Sequence, residues 1–412
     1  MRQPVKIETH RTQILMKTNQ RLAICRIGLF ASSLIAVCQV QAQISITGGD
    51  LYVYQAGDGV TAAGSGVGAP TFIDQFGTAQ GASGGTLNSF LAQTVLPPTP
   101  ASDGGNFLSQ GQGQQDGQIS YNGGANVLVF GGYSGTAVNS SINSPAAANR
   151  DIGQVNASGA FSFAVQNSTV YGGNNTSGGL LRGATTDGGG NYWASGTASS
   201  GGLQGVWYYG SGTAAALIGT GTATRGLEAY GGNLFYTTGS GVSMISGMPQ
   251  SGTHTPTLLF AAGSTPYGFT FGPNMLTAYV ANEAGGIVKA VYSGTFSGGA
   301  YSGGTWTTTT IDGGTKFDWV TADFSGANAV IYATTLAGST GNQLDEIVDN
   351  GGSDPVTLLD TITGTSADSG NYDGIVFVPA PEPSVLALVG LGSVLCIGKW
   401  RQMSKARSER QL

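Results

Sequence analysis

An all-β fold is what this chain predicts, on three observations. Glycine supplies 70 of the 412 residues, and short Val, Tyr, Phe and Thr runs are broken by Gly, Asn and Ser, the pattern of strands bounded by tight turns. No sustained 3.6-residue apolar period runs through residues 43–378, which argues against helices there. A unit also recurs: a strand, a Gly/Asn turn, then a second strand carrying a central aromatic and small residues. It is clearest at Leu180–Gly196 around Trp193 and at Thr224–Gly239 around Tyr236, with weaker copies around Tyr52, Phe130, Tyr279 and Tyr332.

The spacing of those aromatics sets the architecture. Trp193 to Tyr236 and Tyr236 to Tyr279 are each 43 residues, Tyr279 to Tyr332 is 53, and Phe130 to Trp193 is 63. Forty-odd residues is the size of a four-stranded propeller blade, whose two inner strands the unit supplies. The repeated aromatic is then expected to pack between blades. Residues 372–378 hold a first strand without its partner, whereas residues 44–54 begin with a second. A C-terminal strand completing the N-terminal blade would close the ring and leave no long sheet edge. The count is six blades, or seven if the 78 residues between Tyr52 and Phe130 hide another, with Pro97–Gln118 read as a long surface loop. The alternative is a β-solenoid, whose repeats should be shorter and more regular.

Charge divides the chain into three. Residues 1–42 carry a net +5, residues 43–378 a net −14 and residues 379–412 a net +3, which together give the overall −6. Charged residues are only 9% of the chain, against about a quarter in ordinary globular domains. A nucleic-acid binder, a coiled coil and an ordinary cytosolic helical enzyme are excluded on that count. All three cysteines, Cys25, Cys38 and Cys396, lie in the terminal segments, so the body holds neither disulfide, thiolate metal site nor Cys nucleophile.

Each end reads as a targeting element. Lys17, Arg21 and Arg26 precede the apolar run Ile27–Val37, and Val40-Gln41-Ala42 follows, the order of a secretory signal peptide. Residues 1–42 are expected to be removed after Ala42, leaving Gln43 first and implying the Sec translocon and signal peptidase as partners. Translation starts at Met1 or Met16. At the other end Pro381-Glu382-Pro383 precedes a Gly-containing apolar helix at 384–400, ended by Lys399, Trp400 and Arg401 and followed by Lys405, Arg407 and Arg410. Apolar span, aromatic anchor and basic stop are the parts of a transmembrane helix.

This ending, residues 379–412, resembles the PEP-CTERM sorting signal of Gram-negative bacteria that make extracellular polysaccharide. The resemblance implies recognition near Pro381-Glu382-Pro383 by the membrane protease exosortase. It also implies anchoring in the inner membrane during processing, then release or transfer to the cell surface or extracellular matrix. The tail after Trp400 is longer than is usual for the signal.

Titratable chemistry in the body is sparse. His254 is its only histidine, in the loop sequence Gly252-Thr-His-Thr-Pro. No HExxH, cysteine pair or EF-hand pattern occurs, and no metal site or cofactor is expected, although Asp345, Glu346, Asp349 and Asp354 offer oxygen ligands for Ca²⁺. Arg182 and Arg225 each precede a glycine and stand eleven residues before the repeat aromatic. They are expected at equivalent places on adjacent blades, facing a channel mouth and binding an anionic or hydroxyl-rich sugar with Asp187, Glu228 or Asp323. The competing role is structural, bonding inter-blade carbonyls. Together these readings predict an exported, non-catalytic surface protein that binds exopolysaccharide or another envelope component. A carbohydrate-active hydrolase or lyase, with two acidic groups in the channel, and a purely structural coat or adhesin are the alternatives.

Overall fold

The computed structural model describes residues 44–57, 68–78, 87–96, 106–110, 116–135, 149–167, 170–171, 179–198, 203–210, 216–220, 222–336, 341–352, 354, 356–363 and 370–380. The chain divides into two units, Met1–Ala42 and Gln43–Leu412, and all described residues belong to the second. The signal-peptide junction Ala42/Gln43, the motif Pro381-Glu382-Pro383, the stop Lys399-Trp400-Arg401 and the apolar segment 384–400 all lie outside the described residues. Among the described residues no helix is long and apolar enough to cross a membrane.

The body is a six-bladed β-propeller. Its first blade pairs Asn371–Phe377 with Asp50–Ala56, followed by Gly68–Thr78 and Leu87–Val95. The second runs Ile119–Asn122, Val127–Gly135, Asn149–Asn156, Phe161–Asn167. Blade 3 is Leu180–Thr186, Tyr192–Thr197, Gly205–Tyr208, Ala216–Thr220, and blade 4 is Thr224–Tyr230, Asn233–Thr238, Gly241–Ile245, Thr257–Ala261. Blade 5 is Pro266–Phe271, Thr277–Asn282, Ile287–Tyr292, Trp306–Ile311, with the hairpin Thr295–Ser297 and Ala300–Ser302 inserted before its outer strand. Blade 6 is Phe317–Asp323, Ala329–Thr335, Gly341–Asp349, Val356–Thr363.

Closure is as the sequence predicts. Leu51 pairs with Phe377 and Ala56 with Asn371, antiparallel, so the last strand becomes the innermost strand of the first blade. The solenoid is overturned by this cyclic order, and so is the seventh blade. Between Tyr52 and Phe130 the chain makes the two outer strands of blade 1, a bridging strand Asn106–Gln110 and the inner strand of blade 2. That bridging strand pairs with Gly68–Pro70 on one side and Tyr133–Gly135 on the other, joining blades 1 and 2 into one nine-stranded sheet. The segment 97–118 is therefore more than a surface loop, since Asp116 and Gln118 within it are buried.

Packing is concentrated at the seams between blades. Six hydrophobic clusters correspond to six seams, each joining strands of one blade to those of the next. All six repeat aromatics fall on second strands, and none is more than 4% exposed. All six pack between blades, as expected, but not all on the same side of their blade. Tyr52, Trp193, Tyr279 and Tyr332 face the following blade, while Phe130 and Tyr236 face the preceding one. In blade 4 the forward-facing residue is Phe235. A shift of one residue reverses the face of a strand, so an even 43-residue spacing through Tyr236 conceals it.

Trp193 shows what these aromatics contribute. It is fully buried against Leu227 and Leu234 and donates its indole N–H to the Pro249 carbonyl at 2.7 Å. Trp193→Phe keeps an aromatic but removes that donor and leaves space, and is expected to cost about 1.5 kcal/mol. The drop would be read from urea unfolding midpoints, and an unchanged midpoint would show that the indole contributes shape alone.

Candidate functional site

The six inner strands all begin at the same end of the propeller, and near each beginning stands one residue of a ring: Asp373, Asp116, Arg182, Arg225, Tyr267 and Asp318 in blade order. Each acts electrostatically on its neighbours around the whole circle. Asp116 and Asp318 both act on Asp373, Asp116 and Arg225 act on Arg182, and Asp318 acts on Tyr267. The circle is completed by Arg225, whose Cζ lies 4.1 Å from the centre of the Tyr267 ring. In five blades the next residue is glycine: Gly374, Gly117, Gly183, Gly226 and Gly268. Near the axis the inner strands converge and leave little room for a Cβ. One added to Gly374 would sit 2.2 Å from the Gly117 carbonyl oxygen.

Second strands fix the ring's backbone. Thr237 donates its hydroxyl to the Tyr267 carbonyl at 2.6 Å and Thr334 to the Asp373 carbonyl at 2.9 Å. Ser195 donates likewise to the Arg225 carbonyl. Each bond crosses from one blade to the next, so the side chains of the ring are presented from a pinned scaffold.

Depth divides the ring. Asp116, Asp318 and Asp373 are each 1% exposed and Arg182 7%, whereas Arg225 is half-buried. Glu283, also half-buried, is added from the turn between the second and third strands of blade 5. Burial raises its carboxyl, an effect partly offset by Asp318, the Arg225 charge, Tyr267 and Arg182. Asp373 is pushed well above the ordinary 3.8 by burial and by the Asp116 and Asp318 charges, and its Oδ2 has no hydrogen-bond partner. Both effects favour its neutral form. Burial likewise lowers Arg182, with the Arg225 charge acting in the same direction.

Beside the ring an amide links two blades that are not neighbours. Gln118 of blade 2 reaches past blade 3 to blade 4, accepting from Leu227 N at 2.6 Å and donating to Leu227 O at 2.7 Å and Glu228 Oε1 at 2.9 Å. Gly183 makes this possible, since a Cβ there would lie 2.0 Å from Gln118 Oε1. Against that bond, burial lifts the Glu228 carboxyl to about 8. Gln118 thus ties the inner strands of blades 2 and 4 together beside the ring.

Arg182 and Arg225 stand near each other on adjacent blades, and the acidic groups beside them are not those considered from the sequence. Asp187 lies five residues after Arg182, about 16 Å along the strand, where it caps an exposed turn through Gly189 N and Asn191. Asp323 is at the same far end, accepting from Ser325 N at 2.8 Å, and Glu228 is engaged by Gln118. Asp116, Asp318, Asp373 and Glu283 take their place. Arg225 also has the structural role, donating from Nη1 to the Pro266 carbonyl at 2.8 Å. The Arg-Gly pair was the sequence signal, and it extends to Asp116-Gly117, Tyr267-Gly268 and Asp373-Gly374 once any residue type is allowed before the glycine.

The oxygen ligands considered for Ca²⁺ are dispersed. Asp349 forms an ion pair with Lys289 at 2.6 Å, Asp354 accepts from Asn350 N, and Asp345 is buried and raised to about 6 by burial and the Asp312 charge. Among the described residues no three His, Cys, Asp or Glu side chains are grouped to hold a metal ion. His254 is held in its loop, with Nε2 3.0 Å from the Ser251 carbonyl.

No protein-family model and no curated protein matches the chain. Solved structures of similar shape include a 6-phosphogluconolactonase-like protein of Bacteroides fragilis, at 12% identity over 76% of this chain and 82% of that one, with a TM-score of 0.41. A protein of Lactobacillus plantarum is 12% identical over 79% of this chain and 98% of its own, with a TM-score of 0.44. A glucose dehydrogenase is 12% identical over 72% and 95%, with a TM-score of 0.37.

Proposed function

We propose that this chain is an exported, non-catalytic surface protein that binds a hydroxyl-rich extracellular polysaccharide at the mouth above the ring. The observation that carries the reading is the ring itself. Two guanidinium groups, a tyrosine and four carboxyl groups stand together at one end of the inner strands, and the half-buried Arg225 and Glu283 supply a donor and an acceptor at its surface. Its four carboxyl groups outnumber its two arginines, which favours a neutral, hydroxyl-bearing ligand over a polyanion. Asp116, Asp318 and Asp373, at 1% exposure, are too deep to reach a glycosidic bond in a polymer, which favours binding over hydrolysis. Export and exosortase sorting rest on the basic-apolar segment ending at Ala42 and on Pro381-Glu382-Pro383.

The test is to incubate the protein with the polysaccharide of its own host, following binding by calorimetry and chain length by size-exclusion chromatography. Glu283→Gln keeps the shape of the mouth and changes its charge, and is expected to weaken binding at least about fivefold, the effect of one charge-assisted hydrogen bond. Shortened chains would replace this reading with a hydrolase or lyase. Absence of binding would leave a structural coat protein.

A further inference from the structure

At the face opposite the ring, between blades 5 and 6, lies a cavity of about 500 Å³, within the range of small-molecule sites. Blade 5 contributes Asn274, Tyr279 and Lys289 to its wall, and blade 6 contributes Phe324, Asn328 and Asp349. Phe324 stacks on the buried Tyr279, with centroids 5.8 Å apart and planes at 27°, so an aromatic platform is backed by a second ring. Lys289 Nζ lies 2.6 Å from Asp349 Oδ2, and the Tyr279 hydroxyl donates to the same oxygen. The cavity's cation and anion therefore neutralise each other, which disfavours a phosphate or a free ammonium group as occupant. What is offered instead is an aromatic face, the exposed amide of Asn328, the Asn274 amide and the remaining Lys289 donors.

We infer that this cavity binds a neutral saccharide unit, its C–H face against Phe324 and its hydroxyls toward Asn328, Asn274 and the Lys289–Asp349 pair. A hydroxyl both donates and accepts, and amides paired with a neutralised ion pair supply both roles. The apolar face of a pyranose matches a phenyl ring as a charged ligand would not. The site is separate from the ring, and the two faces would let one propeller engage saccharide from both sides.

Saturation-transfer NMR on the intact protein tests this with methyl α-D-glucopyranoside, methyl α-D-mannopyranoside and methyl β-D-galactopyranoside. At least one should receive saturation with millimolar affinity, weakened at least about fivefold by Asn328→Ala and by Phe324→Leu, and not displaced by excess inorganic phosphate. Asn328 is exposed, so its replacement leaves the fold intact even if Phe324→Leu does not. Asn328 lies outside the ring, so loss of binding in Asn328→Ala separates this site from it. Transfer to none of the three glycosides, equal transfer in wild type and Asn328→Ala, or displacement by phosphate would each overturn the inference.

Discussion

Gly374→Ala is expected to destabilise the propeller by at least about 3 kcal/mol, the upper part of the range for forcing a methyl group into a filled space. The new Cβ would lie 2.2 Å from Gly117 O, 2.5 Å from Ile119 N and 2.7 Å from Gln118 Cα. All three are backbone atoms of the neighbouring inner strand, so no side chain can rotate away. Relief requires the strands of blades 1 and 2 to separate, which lengthens the 3.1 Å bond from Gly374 N to Gly117 O and displaces Asp373 and Gln118 together. Gly352→Ala is the matched control, because its Cβ would meet only Asn350 Oδ1 at 3.7 Å. Its cost should stay within about 0.5 kcal/mol. Urea midpoints for the two variants measure the difference, and equal midpoints would mean that the inner strands do not approach as described.

Asp373→Asn is expected to act in the opposite direction, stabilising the protein at neutral pH. Below pH 3.8 both folded and unfolded chains hold the Asp373 proton, and the residue contributes nothing to pH dependence. Above it the unfolded chain releases the proton while the folded chain, whose carboxyl lies well above 3.8, retains it. Stability then falls by about 1.4 kcal/mol per pH unit until the folded value is reached. Asparagine has no such proton, and its amide can donate toward Asp116 and Asp318. The gain over wild type should therefore grow from pH 4 to pH 7 and vanish below pH 3.8. Parallel stability–pH curves for the two proteins would contradict a raised Asp373, and a loss at pH 7 would show that Arg182 holds it as an anion.

Much of the architecture was readable before any coordinates. The 43-residue spacing of the aromatics reflects the length of chain needed for four strands and their turns. The unpartnered strand at 372–378 foretold closure, since a sheet edge needs a partner. Where the reading failed, the cause is local. Tyr236 and Phe235 are adjacent aromatics, and composition gives no sign of which one faces blade 5. The strand Asn106–Gln110 lies in a Pro, Gly and Gln-rich stretch, and it pairs with two blades at once, a circumstance no local pattern encodes.

The candidate site divides in the same way. Arg182 and Arg225 stood out because both precede a glycine in successive copies of one unit, and equivalent positions in a cyclic repeat fall on one circle. Their neighbours Asp116 and Asp373 did not, one placed in an assumed loop and the other in the closing strand. Glu283 comes from a turn of a different strand pair altogether.

What the sequence by itself determined is therefore what repeats: the strand period, the blade length, the aromatic seams and closure of the circle. Those follow from side-chain alternation and chain length, which act within a few dozen residues. Only the tertiary structure decided the rest. The Gln118 bridge to Leu227 and Glu228, the raised Asp373 beside Asp116 and Asp318, and the cavity shared by blades 5 and 6 each join residues from different blades. Their hydrogen bonding, proton affinity and enclosure depend on how closely those blades approach, and that distance is set by six seams of packed side chains acting at once.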